Sequence, residues 1–157
     1  MQLALSEVGG PAWWSTEKFW KRGSEHGSEL ACVFATRQRN PEVFSLAHDD
    51  QRDCDAGKLD GCQRITKLAK DYRGCNGNKP EGCHGLARRI ARAGSTQKAN
   101  GYWDKGCKAG HAESCYFLQI RDFIYINAMK LADACDAGGA TQCAELKQRV
   151  AKMQEGR

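Results

Sequence analysis

The chain has 157 residues, 41% of them apolar and 27% charged, with a formal net charge of +5. That length fits one domain, and the low apolar share favours a thin, elongated core over a globule. Its basic residues are spread out, the largest clusters being Lys21-Arg22 and Arg88-Arg89; this argues against nucleic acid as a partner, and no apolar run approaches the ~20 residues of a membrane span.

In chain order, residues 1–12 read as an N-terminal tail, and 13–157 as a single helical-repeat domain. Pro11 to Trp20 holds three of the four tryptophans, Trp13, Trp14 and Trp20. Ser15 or Thr16 can cap a short helix running to Arg22. A second helix is predicted over Ser28 to Gln38, stopping at Asn40-Pro41, a cap followed by a first-turn proline. The helix begun there runs to Cys54, with Val43, Phe44, Ala47 and Cys54 on one face. After Asp55-Ala56-Gly57, Cys62, Ile65, Leu68, Ala69, Tyr72 and Cys75 recur at steps of three and four, an amphipathic stripe with a cysteine at each end. Asn76-Gly77-Asn78-Lys79-Pro80 is a turn. Cys83, Leu86, Ala87, Ile90 and Ala91 make the next stripe, ended by Gly94-Ser95. The following helix carries Ala99, Tyr102, Trp103 and Cys107. From Cys115 to Cys135 there is neither Gly nor Pro, and this most apolar segment reads as one long helix or two with a tight break, one being favoured. The last helix holds Cys143, Leu146, Val150 and Met153, and Gln154 to Arg157 fray.

Eight of the nine cysteines fall in pairs with seven residues between them: Cys54 and Cys62, Cys75 and Cys83, Cys107 and Cys115, Cys135 and Cys143. A cysteine in the last turn of one helix and another in the first turn of the next can approach the ~5.5 Å between Cα atoms that a disulfide wants. Gly57, Gly110 and Gly138 each stand three residues after a first cysteine, where a left-handed helix cap requires glycine. Counting alone allows many pairings, but the repetition favours the nearest-neighbour one. Each bridge closes a short loop worth ~2.5 kcal/mol, and four total on the order of 10 kcal/mol. So many cysteines at fixed spacing imply an oxidising compartment. Met1-Gln2-Leu3-Ala4-Leu5 has neither basic flank nor apolar core of a leader. A periplasmic or secreted mature form, its leader replaced by a start methionine, is expected.

Phe19 to Phe34 can be laid on Tyr102 to Phe117 without a gap, so Cys32 is the second member of a degenerate fifth copy in which Ser24 replaces the first. Cys32 is expected to keep its thiol, buried, with no neighbour to activate it. Metal is the rival reading, because Cys107, His111 and Cys115 come at steps of four and His84 adjoins Cys83. Structural zinc uses cysteine pairs two to four residues apart, and no such pair exists here. No metal or cofactor is expected, and His111 reads as a loop residue.

Hairpin turns of the form A-C-D-x-G-x-x-x-x-C, seen at Ala134 to Cys143, Asp53 to Cys62 and Cys107 to Cys115, resemble the cysteine-rich Sel-1-like repeat proteins, relatives of tetratricopeptide solenoids. The resemblance covers residues 16–155 and lies in the turns, not the helix bodies. It implies an all-α fold of disulfide-stapled helical hairpins stacked as a short, irregular α-solenoid. First cysteines fall at positions 54, 75, 107 and 135, an uneven spacing that departs from the regular repeat.

The resemblance also implies binding of another protein or peptide on a concave helical surface. No phosphate loop, carboxylate pair or nucleophile–base pair has recognisable spacing. Ser45 and His48 lie three apart with no acid fixed near them. Ser15-Thr16-Glu17-Lys18 contains S-x-x-K without its companion motifs, and helix capping explains it. A non-enzymatic interaction module of the bacterial envelope or exterior is expected, with an immunity protein that blocks a cognate toxin as the concrete form. The alternatives are a penicillin-binding or weak β-lactamase-type enzyme and a scaffold of an envelope complex. Partner contacts are expected at Trp13, Trp14, Arg121, Asp122 and Tyr125, with Trp20 and Trp103 in the core.

Overall fold

The same backbone turn recurs along the chain and organises the fold. A computed structural model describes residues 29–36, 39–120 and 122–156. Among them are eight helices and no strand: α1 (Glu29–Phe34), α2 (Pro41–Asp55), α3 (Leu59–Asn76), α4 (Pro80–Arg92), α5 (Thr96–Lys108), α6 (Ala112–Gln119), α7 (Asp122–Asp136) and α8 (Ala140–Glu155). The fold is all-α and is built of disulfide-stapled helical hairpins. The chain divides between Gly77 and Asn78 into two compact units.

Helices α2, α4, α5 and α7 end in one way. Gly57, Gly94, Gly110 and Gly138 have φ of +82°, +93°, +90° and +97°. In the α2 exit, Gly57 N donates to Cys54 O and Lys58 N donates to Asp53 O, both at 3.0 Å. Gly110 and His111, and Gly138 and Gly139, repeat both bonds on Cys107 and Gly106, and on Cys135 and Ala134. This is the Schellman exit, which satisfies two orphan carbonyls and turns the chain back on itself. It places the first cysteine two residues inside the end of one helix and the second four residues inside the next. There Cys54–Cys62, Cys107–Cys115 and Cys135–Cys143 are bonded with Cα separations of 4.5, 4.6 and 4.7 Å. Cys75 and Cys83 are disulfide-bonded as well.

A bridge this short forces the two helices together just beside it. The residue before each cysteine then faces its counterpart across the hairpin. A Cβ on Gly61 would lie 2.6 Å from Asp53 Cβ and 2.7 Å from Cys54 N, and one on Gly106 would lie 2.6 Å from Ser114 Oγ. At these two hairpins one member of the facing pair is glycine, which leaves room for the close approach.

In the first unit, α1 packs on α2 and α3, and Val33, Val43, Ala47, Ile65, Leu68 and Tyr72 form the core. The predicted Ser28 to Gln38 helix stops at Phe34, because the chain turns there and the buried Thr36 hydroxyl donates to Val33 O at 2.6 Å. Pro41 opens α2 as predicted, but Asn40 makes no side-chain cap and its amide instead donates to Tyr72 Oη at 3.3 Å. Cys32 lies on α1, half-buried rather than buried, and outside the disulfides. The α2–α3 hairpin is also tied by Arg64, whose Nε donates to the buried Asp50 at 3.0 Å and whose Nη2 donates to Asp53 at 2.8 Å.

In the second unit, α4 is the most enclosed helix, with Leu86, Ala87 and Ile90 at or below 1% exposure. Of the two readings of Cys115 to Cys135 the less favoured one holds: the segment is two helices, because α6 ends at Gln119 and its C-cap, Ile120, has an extended ψ of 151°. The cause is tertiary. Residues 117 and 125 would be about 12 Å apart along a continuous helix. The break lets Phe117 and Tyr125 both pack on the buried Trp103, at ring-centroid distances of 5.3 and 5.7 Å, and on each other at 6.3 Å. Trp103 is a core residue, as expected. At the C-terminal end α8 buries Leu146 and Val150 and shows solvent a polar face.

Helices α4 and α7 are joined by charge. Arg88, 7% exposed, donates to Asp136 Oδ2 and Asp133 Oδ1, each at 2.5 Å, and Arg92 also binds Asp133. Burial pushes the Asp133 carboxyl up, but hydrogen bonds from Arg92 and Arg88 outweigh it and hold the group below its ordinary value. Arg88 is buried whereas Asp133 and Asp136 are 45% and 59% exposed, so removing both carboxylates strands a buried charge, while removing Arg88 leaves carboxylates that water and Arg92 still reach. Replacing Asp133 and Asp136 together by alanine should therefore cost about 3 kcal/mol, whereas Arg88→Met should cost less than about 1 kcal/mol. Urea denaturation of the three proteins checks the order.

Candidate functional site

The only histidine inside a staple, His111, lies in the turn between α5 and α6, as expected, and has a further role there. It is the N-cap of α6, and its Nδ1 accepts the backbone N–H of Ser114 at 3.2 Å. The fully buried Ser114 hydroxyl lies 2.9 Å from the same nitrogen and 3.4 Å from Nδ1 of His84 on α4. On its far side His84 Nε2 lies 3.1 Å from Glu113 Oε1. The two imidazoles are 4.9 Å apart, and Phe117 covers His84 at 5.4 Å.

The bonds set the tautomers. A carboxylate can only accept, so His84 carries its proton on Nε2 and offers a lone pair at Nδ1. His111 accepts at Nδ1, so its proton is on Nε2. Ser114 O–H then points at a histidine lone pair. Burial and the neighbouring His84 hold His111 below the usual histidine value, against Glu113 and Glu81. Burial pushes Glu113 up, but the His84 hydrogen bond and the charges of His84, His111 and Arg88 outweigh it, so Glu113 stays ionised below the ordinary glutamate range.

Glu113, His84 and Ser114 are thus aligned in the order of an acid, a base and a nucleophile. The alignment does not support acyl transfer, because Ser114 has 0% exposure and is walled off by Gly106. A nucleophile must touch the carbonyl it attacks. What the cluster does is satisfy buried polar groups and pin α6 to α4 beside the Cys107–Cys115 bridge. Among the described residues no group of three or more His, Cys, Asp and Glu is placed to hold a metal ion.

The surface feature that stands out is on α7. Ile124 and Ile126 are 55% and 52% exposed, on either flank of Tyr125. Tyr125 is half-buried by its contacts with Trp103 and Phe117, and burial pushes its phenol up. Leu59, at the start of α3, is 69% exposed by itself. An open groove of about 590 Å³ runs along α3 past Cys62, Gln63, Thr66, Lys67, Lys70 and Asp71, which offer no catalytic grouping.

Of the contact residues expected from the sequence, Tyr125 anchors the exposed pair rather than reaching outward itself. Trp13, Trp14, Arg121 and the side chain of Asp122 lie outside the described residues, as does Trp20. The exposure of Ile124 and Ile126 has no mark in the sequence, since both sit in the most apolar segment. The His84–Glu113 contact spans 29 positions, and no local spacing signals it. No helix is long and apolar enough to cross a membrane among the described residues. The disulfides point to an oxidising environment. No family model, curated protein or solved structure matches the chain.

Proposed function

We propose that this chain is a non-enzymatic protein-binding module, an irregular member of the cysteine-rich Sel-1-like repeat class, that works in the periplasm or outside the cell. The observation that carries the reading is the Ile124 and Ile126 pair on α7. Isolated exposed apolar residues are ordinary, but these two project from α7 about 200° apart on either side of the anchored Tyr125, as two separate apolar points held in fixed positions. The helix that presents them is fastened at its other end by the Cys135–Cys143 bridge and by Arg88. Apolar side chains fixed on a stapled scaffold lose little entropy on docking. The class of partner we favour is a bacterial toxin or effector, blocked by a small dedicated immunity protein.

The test is recovery of a stoichiometric partner by the native chain and by Ile124→Asp/Ile126→Asp. Both positions face solvent, so the variant should keep its stability to within about 0.5 kcal/mol. It should lose the partner, and the partner's activity should return. Undiminished capture by the variant contradicts the surface, and turnover of a β-lactam reporter by the pure protein contradicts the non-enzymatic reading.

A further inference from the structure

We propose that His84, His111, Ser114 and Glu113 form an acid-operated latch, which holds α6 against α4 while His111 is neutral and releases it when His111 takes up a proton. The argument is geometric. Ser114 sits between two ring nitrogens, both Nδ1, at 2.9 and 3.4 Å, and has one hydroxyl proton and one backbone N–H to give. Two lone pairs facing two donors is a satisfied arrangement.

A proton on His111 Nδ1 finds the Ser114 N–H already aimed at it, 3.2 Å away, and the Ser114 hydroxyl 2.9 Å away. The cap of α6 is then lost, and a buried N–H is left without an acceptor. The charged groups around the pair are few. Helix α4 brings Glu81 and Arg88, and α6 brings Glu113. From α5 the residue pressed on Ser114 is Gly106, which carries no charge.

The depressed His111 value gives the sign. A base held below its ordinary value stabilises the fold above its unfolded pKa, and that stability is lost as the pH falls from ~6.5 towards the folded value. Glu113 remains ionised through this window, because its own value is lowered. The Cys107–Cys115 bridge keeps the ends of α5 and α6 tethered, so opening is local and reversible.

Amide hydrogen exchange on the intact, oxidised protein tests this, read as protection factors so that intrinsic exchange is divided out. Below pH ~6.5, protection at Cys115, Tyr116 and Phe117 should fall by about tenfold per pH unit, the limit for a one-proton opening, while Leu68 and Tyr72 keep theirs. His111→Asn retains a capping acceptor for Ser114 without the titration, and should flatten the response. His84→Gln, which still offers a donor to Glu113, should weaken it. Flat protection in the native protein overturns the proposal, and so does an unchanged slope in both variants.

Discussion

Gly61→Ala is expected to destabilise the first unit by about 3 kcal/mol, at the upper end of what overpacking a rigid site costs. The new methyl would meet Asp53 Cβ at 2.6 Å, Cys54 N at 2.7 Å and Asp50 O at 2.9 Å. Two of those three atoms are backbone, in a turn whose helices are bonded through Cys54–Cys62 at a Cα distance of 4.5 Å. Nothing nearby can move aside. Gly106→Ala should behave alike in the second unit, since it meets the Oγ of Ser114, which is sealed in and bonded to two histidines. Gly101 supplies the contrast. It lies in the body of α5 with nothing within 4 Å of its missing Cβ. Gly101→Ala should stabilise by about 0.8 kcal/mol, the ordinary helix-propensity gain. One substitution type thus carries opposite signs at two positions five residues apart on one helix, and chemical denaturation of the three variants reads both. Equal effects at Gly101 and Gly106 would mean that the close approach across the staple is not the governing contact.

Reduction should have the larger total effect. Each nine-residue ring contributes ~2.5 kcal/mol by limiting the unfolded chain, and the eight bonded cysteines together contribute on the order of 10 kcal/mol. That matches the entire net stability of a typical domain. The cores are thin, with much of α8 and of α5 open to solvent. Full reduction should therefore unfold the chain at room temperature, seen as loss of helical circular dichroism. The double change Cys107→Ser with Cys115→Ser should lower the stability of the second unit by about 2.5 kcal/mol and leave the first unit as it was. A native spectrum and unchanged melting after reduction would show that packing alone carries the fold.

How far the residues alone announce this structure depends on whether the cause is local. The Schellman exits are local: a cysteine followed three residues later by glycine marks them, and Gly57, Gly110 and Gly138 all take positive φ. Asn78 holds the same place after Cys75, at φ +62°, and does so without being glycine, because asparagine tolerates that region. The glycines that precede the cysteines carried a signal that was not read. Gly61, Gly82 and Gly106 are buried in helices, where glycine is costly unless something must come close. The break at Ile120 has no local mark, neither Gly nor Pro, and is set by two rings converging on Trp103. The Arg88 and His84 partnerships join different helices over 29 to 48 positions, beyond any periodicity. The candidate site was legible only at Tyr125, and even there it is the neighbours, Ile124 and Ile126, that are exposed.

Covalent closure of successive helix turns is the claim on which the rest stands, and peptide mapping of the unreduced, denatured protein tests it most directly. Trypsin cuts at Lys58 and Lys108 inside two of the rings, so Cys54 and Cys62, and Cys107 and Cys115, should each appear as a linked pair of peptides that reduction separates. Cys135 and Cys143 should lie in one peptide that is short of two hydrogens. Thiols at these positions, or links joining cysteines of different turns, would contradict the account.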